Sequence, residues 1–129
     1  MVKEPCHVLV VDHDRHTADN AVTLLHIWGH EAEAAYSGEH AIATARGFDA
    51  DVIVMDLAMP HMNAIAEQLR GLCPGAKFVG LTGFVQADIV RRSREAGLAD
   101  VLSKPTTAAE LQDAVDTQCG ERAELSTPA

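Results

Sequence analysis

The sequence predicts an α/β fold, a (βα)5 chain with a doubly wound parallel five-stranded sheet and helices on both faces. Three observations carry that prediction. Short apolar runs rich in β-branched residues, such as Val8–Val11 and Val52–Met55, have the composition of strands buried on both faces rather than of half-wet ones. Between them lie segments whose apolar residues recur at helical spacing. The connections are short, and strands alternating with helices in this way close into parallel pairs through right-handed crossovers.

The elements follow in order. Residues 7–11 form the first strand, which stops on Asp12. From Asp14 the period changes, and Ala18, Ala21, Val22, Leu25 and Trp28 share one helical face, with Asp14 placed as N-cap and Gly29 as stop. Residues 31–36 alternate acid and alanine before Ala35 and Tyr36, the pattern of an edge strand with one wet face. Ser37 and Gly38 turn the chain into a second, alanine-rich helix that ends near Gly47. The third strand follows Asp51 and ends on Asp56. A third helix covers 62–72, with Ile65, Leu69 and Leu72 on one face and Cys73-Pro74-Gly75 closing it. Residues 77–81 are the fourth strand, ending on Thr82 and Gly83. The fourth helix is placed at 86–96, its outer face carrying Arg91, Arg92, Arg94 and Glu95, before Gly97 stops it. Residues 100–103 form the fifth strand, running into Lys104 and Pro105. Thr107 and Glu110 then make a capping box for the last helix, which buries Ala108, Leu111, Ala114 and Val115.

A chain of 129 residues fits one domain with a core of its own. Residues 1–119 are assigned to that domain and 120–129 to a polar tail expected to fray. The excess of 19 acidic over 10 basic residues gives a formal net charge of -9, which disfavours binding to nucleic acid or an anionic membrane through bulk charge. Cys6, Cys73 and Cys119 are odd in number, widely spaced and without CxxC spacing, so they read as reduced thiols of a soluble cytoplasmic protein. No stretch approaches the length that spans a bilayer.

In such a sheet, ligands gather at the carboxyl ends of the strands. Asp12, Asp56, Thr82 and Ser103-Lys104 therefore meet at one edge although the chain separates them widely. Carboxylates clustered there repel one another until a hard cation such as Mg2+ binds between them. Asp56 could then attack a phosphoryl group and carry it, with the metal and Lys104 neutralising charge and the Thr82 hydroxyl donating to a phosphoryl oxygen. Taken singly, these residues have plainer readings. Asp14 serves equally as a helix cap, Thr82 as a turn residue, and Lys104 as a solvated amine.

Four segments together resemble the receiver domain of two-component response regulators: Val-Leu-Val-Val-Asp-His-Asp, Met-Asp-Leu-Ala-Met-Pro, Leu-Thr-Gly and Ser-Lys-Pro, in that order. The resemblance covers His7 to about Gln118. It implies a flavodoxin-like sheet of strand order 2-1-3-4-5 and a cis peptide bond before Pro105. It also implies Asp56 as phosphoacceptor, Thr82 as switch hydroxyl and Lys104 as phosphoryl partner. The metal would be Mg2+, held by Asp12, Asp56 and the backbone carbonyl of Ala58, with His13 or Asp14 completing the set. The implied role is a phosphorelay switch rather than an enzyme of turnover. It would take phosphate from a sensor histidine kinase or histidine phosphotransfer protein and change its binding to a downstream target protein. Direct nucleic-acid and membrane contacts are not expected. A homodimer face of helix four, strand five and helix five is a candidate, with Arg91, Arg92 and Asp100 as contacts. No output domain is read in the chain, so it would act through protein contacts or as the receiver portion of a longer regulator or hybrid kinase.

This sequence departs from the family pattern at three places. His13 stands where a second acid is usual, and imidazole is a poor ligand for Mg2+ but a good one for borderline metals, so cation binding should be weakened or altered. Val101 replaces an aromatic residue of strand five, and His61 and Ala64 replace glycines of the loop after strand three. Ala58 and Phe84, on the family's route for water to the aspartyl phosphate, cannot orient a water, so a phosphoryl group on Asp56 should be long-lived. The alternative function is an atypical receiver with impaired metal binding, acting as a phosphorylation-independent interaction module.

Overall fold

The computed structural model describes residues 6–83, 91, 93–95 and 97–126. Five strands, β1 (His7–Val11), β2 (Glu31–Ala35), β3 (Val52–Asp56), β4 (Lys77–Thr82) and β5 (Asp100–Ser103), form one sheet of order β2-β1-β3-β4-β5, every neighbouring pair parallel. The order is the one the resemblance implies. The helices are α1 (Arg15–Ile27), α2 (Gly38–Ala45), α3 (Met62–Leu72) and α5 (Ala108–Ser126). The predicted α4, at 86–96, falls largely outside the described residues; Arg91 and Ser93–Glu95 are helical.

Strand alternation sends side chains to two cores. Val8, Val10, Val52, Val54, Val79 and Leu81 face Ala18, Leu25, Leu111, Ala114 and Val115 on one side. Leu9, Val11, Ile53, Met55 and Phe78 face Ala41, Ala45, Ile65, Ala66 and Leu69 on the other. This two-sided burial is why Val8–Val11 and Val52–Met55 carry no polar residue before Asp12 and Asp56, each buried aliphatic side chain contributing roughly 1.5–3 kcal/mol.

The caps act where the sequence places them. Asp14 Oδ1 accepts the His16 and Thr17 N–H groups at 3.0 and 3.3 Å, and Gly29 leaves α1 with a φ of +91°, a conformation that favours glycine. Thr107 Oγ1 accepts from Glu110 N–H at 3.1 Å, while Glu110 Oε1 accepts from Thr107 N–H at 3.3 Å, which completes the predicted capping box. The Lys104–Pro105 peptide is cis.

Two features differ from the sequence reading. Cys6 and Cys119, read as reduced thiols, are joined in a disulfide, and Cys73 is the free cysteine, buried. The physical reason is topological. Cys6 leads into β1 and Cys119 lies on α5, which packs on the same face of the sheet, so residues 113 apart in sequence come to a Cα separation of 6.0 Å. In addition, α5 continues to Ser126, past residue 119 where the tail is assigned.

Candidate functional site

Register brings the strand ends together. Val11 lies level with Ala35 on one side and Met55 on the other, Asp56 with Leu81, and Thr82 with Ser103. Asp12, Asp56, Thr82 and Lys104 consequently share the carboxyl edge of the sheet, as predicted.

Each is held by its own strand end. Asp12 is fully buried; its N–H donates to Ala35 O at 3.0 Å, and its Oδ1 accepts from Asp14 N–H at 2.9 Å. Asp56 is the last residue of β3 and 1% exposed. Its Oδ1 accepts from the Ala58 N–H at 2.9 Å, while Leu57 N–H donates to Leu81 O and ties the start of the following loop to β4. The Leu57 side chain lies across Gly80, where a Cβ would approach its Cδ1 to 2.8 Å and oblige it to shift. Lys104 N–H donates to Thr82 O at 2.8 Å, linking the ends of β4 and β5. Thr82 itself is buried.

The side chains converge on Asp56. Lys104 Nζ lies 2.9 Å from Asp12 Oδ2 and 3.3 Å from Asp56 Oδ2, so one ammonium serves two buried acids. His13 Nδ1 lies 2.8 Å from Asp56 Oδ2 and 3.6 Å from Asp12 Oδ1 on a ring that is 64% exposed. This His13–Asp56 hydrogen bond joins residues 43 apart, and no spacing in the sequence signals it. Asp14 caps α1 through its side chain and is not among the converging groups. Ala58 meets Asp56 through its N–H.

Burial alone would raise the Asp56 carboxyl, but the Ala58 N–H, the charge and hydrogen bond of Lys104 and the bond from His13 outweigh it and hold its pKa below the ordinary 3.8. The carboxylate is thus ionised throughout the neutral range. Burial would lower Lys104; its bond to Asp12 and the charges of Asp12 and Asp56 raise it above 10.5 instead. Asp14, accepting from the Thr17 and His16 N–H groups, is also held low.

A loop detail bears on the rim. His61 precedes α3 with a φ of +57° and ψ of +29°, a left-handed conformation that suits glycine and that a histidine adopts only at a cost. This is a position where the receiver pattern expects glycine.

Asp12 and Asp56, bridged by Lys104, form a buried acid pair at the carboxyl edge of the parallel sheet. The chain belongs to the response regulator receiver domain family, whose model matches residues 8–116. It is 34% identical over 107 residues to a response regulator receiver protein of Anaeromyxobacter sp. (strain Fw109-5), covering 81% of this chain and 45% of that protein. It is 30% identical over 118 residues to the transcriptional regulatory protein ZraR of Salmonella typhimurium, covering 90% of this chain and 27% of that one. The chain thus spans less than half of these relatives. In fold it matches a CheY-like receiver domain protein from Methanospirillum hungatei JF-1 with a TM-score of 0.84 at 22% identity, covering 95% of this chain and all of the other. Receiver domains are signalling switches of two-component systems, in which phosphorylation on aspartate and partnership with histidine kinases and downstream targets are typical. No helix among the described residues is long and apolar enough to cross a membrane.

Receiver domains bind Mg2+ at an acidic pocket. Among the described residues, Asp12, His13 and Asp56 form a group able to hold a cation, their ligand atoms lying within 4.8 Å of one another. Mg2+ demands oxygen ligands, and one of these three is an imidazole nitrogen. The set therefore fits Mg2+ poorly, while remaining able to hold a divalent cation of borderline softness.

Proposed function

We propose that this chain is a phosphoacceptor switch of a two-component phosphorelay, taking its phosphoryl group on Asp56. The observation that carries the reading is the Asp56 carboxylate, buried yet ionised, with Lys104 Nζ 3.3 Å from its Oδ2. In the transfer step an Asp56 oxygen attacks the phosphorus of a phosphohistidine on a sensor kinase or phosphotransfer protein. The P–O bond forms as the P–N bond breaks, and the released imidazole nitrogen takes up a proton. Lys104 opposes the charge on the incoming phosphoryl oxygens, and Ala58 N–H already points at the carboxylate. Thr82 is the residue that turns toward the new phosphoryl group. Because its carbonyl receives the Lys104 N–H, a shift of the β4 end reaches β5 directly.

A divalent cation, when bound, would be held by Asp12 and Asp56, with the Ala58 carbonyl and His13 rather than Asp14 beside them, and would supply charge neutralisation. The phosphoryl group is long-lived, since Ala58 cannot orient a water; Phe84, the other residue of that argument, lies outside the described residues. The domain works in the cytoplasm, where ATP-dependent kinases supply the phosphoryl group, and its output is a change of affinity for a downstream protein. With a charge of -9 it does not itself contact nucleic acid, and the regulation of transcription stated in the name of ZraR belongs to that protein. The homodimer face suggested by Arg91, Arg92 and Asp100 lies partly outside the described residues.

A second reading is favoured by one contact. His13 already occupies Asp56 Oδ2 at 2.8 Å, so the chain could serve as a docking module without phosphorylation. Incubation with acetyl phosphate and a divalent cation, comparing wild type, Asp56→Asn and His13→Asp, separates the two. Incorporation in wild type and none in Asp56→Asn is expected. Incorporation only after His13→Asp would favour the docking module.

A further inference from the structure

We infer that Asp12, His13 and Asp56 form a mixed nitrogen–oxygen cation site that takes a borderline divalent transition ion, with Zn2+ as its representative, in preference to Mg2+. This rests on the reading of Asp56 as the phosphoacceptor pocket, but cation binding is measured without any phosphoryl group, so either can fail without the other.

The ligand spacing is already close to what such an ion needs. Zinc bonds to nitrogen and oxygen of about 2.0–2.2 Å in a tetrahedral shell set neighbouring ligand atoms roughly 3.3–3.6 Å apart. His13 Nδ1 lies 3.6 Å from Asp12 Oδ1, at the upper end of that range, and 2.8 Å from Asp56 Oδ2, a hydrogen-bond distance that has to open by about 0.5 Å. The nitrogen is aimed inward at the carboxylates although the ring is 64% exposed, so no large rotation is required and the ring's outer side stays open to solvent.

The 2.8 Å His13–Asp56 hydrogen bond has to open for a cation to enter, and Nδ1 then serves as a lone-pair ligand while the imidazole keeps its proton on the outward Nε2. Lys104 Nζ lies 2.9 Å from Asp12 Oδ2 and 3.3 Å from Asp56 Oδ2, so an entering cation would displace the longer of these contacts and leave the ammonium on Asp12. Two carboxylates and one ammonium carry a net single negative charge, and a dication makes the pocket singly positive, suited to a phosphoryl dianion. A third carboxylate in place of His13 would add the hard oxygen that Mg2+ selects. The imidazole instead shifts preference toward Zn2+, Ni2+ and similar ions.

The test uses the 15N-labelled full chain, titrated separately with ZnCl2 and MgCl2, following the imidazole nitrogens by NMR and the heat by calorimetry. Trp28 caps the far end of α1 and is a poor fluorescent reporter for this pocket. Zn2+ is expected to move His13 Nδ1 before any other of the seven histidines and to saturate at a concentration roughly tenfold or more below that of Mg2+. Mg2+ should leave that nitrogen unmoved. His13→Asp should raise Mg2+ affinity and shrink the zinc-to-magnesium affinity ratio by about tenfold or more, while His13→Ala should abolish the first zinc site. Cooperative unfolding and native-like amide shifts away from the pocket in both variants show that folding is not the cause. The inference is overturned if Mg2+ binds wild type as tightly as His13→Asp, or if zinc shifts are confined to the other histidines.

Discussion

Replacing Lys104 by methionine removes a charge while keeping most of the side-chain volume, and two buried carboxylates then lose their shared partner. Lys104 Nζ lies 2.9 Å from Asp12 and 3.3 Å from Asp56. At an effective dielectric near 20 each contact represents roughly 5–6 kcal/mol of attraction, largely offset by the desolvation of the charges involved. Breaking one buried pair usually costs about 3–5 kcal/mol. Here the lysine is a quarter exposed and His13 still bonds Asp56, which brings the expected loss to about 2–4 kcal/mol at pH 7. Urea unfolding measures it, and pH separates electrostatics from packing. In wild type the depressed Asp56 contributes stability above its unfolded pKa of 3.8, lost as pH falls through the lower folded value. The raised Lys104 contributes below 10.5, and its share is lost as pH rises through the folded value above that. In the variant the uncompensated carboxylates favour protonation, so the gap to wild type should narrow as pH falls from 7 toward 4. A gap that does not change with pH, or a variant as stable as wild type, would refute the reasoning.

Reduction of the Cys6–Cys119 bridge opens a loop of 113 residues, for which loop-closure entropy predicts a loss of about 4–5 kcal/mol, read as a lower urea midpoint. Thiol titration of the denatured chain should find one thiol before reduction and three after; three from the start would remove the bridge from the account. His61→Gly relieves the left-handed backbone before α3 and should stabilise the fold by roughly 0.5–1 kcal/mol, the gain in the native state exceeding glycine's extra unfolded freedom. A lower melting temperature would show that the histidine side chain contributes more than its backbone costs.

Most of the fold was legible because a parallel sheet buries both faces of its strands, which therefore appear as apolar runs stopped by Asp12, Asp56 and Thr82. Helix limits were legible where a side chain satisfies a backbone group, as at Asp14 and in the Thr107–Glu110 box, or where glycine takes a positive φ, as at Gly29. Convergence of Asp12, Asp56 and Lys104 followed from topology alone. What escaped depends on three-dimensional proximity between residues that carry no local signature. The Cys6–Cys119 bridge needs β1 and α5 to be stacked before the spacing means anything. His13 was noticed as a substituted acid, but its direct bond to Asp56 depends on the direction of a ring on a short loop. The left-handed backbone at His61 has one sequence signal, the glycine of the receiver pattern that the histidine replaces.

The central claim is that Asp56 accepts the phosphoryl group. Mass spectrometry of the chain after acetyl phosphate treatment with Zn2+ or Mg2+, with borohydride reduction to trap an acyl phosphate at its residue, tests it most directly. One phosphoryl group per chain is expected, mapped to Asp56 and absent from Asp56→Asn. Modification at another residue, or equal incorporation by Asp56→Asn, would contradict it.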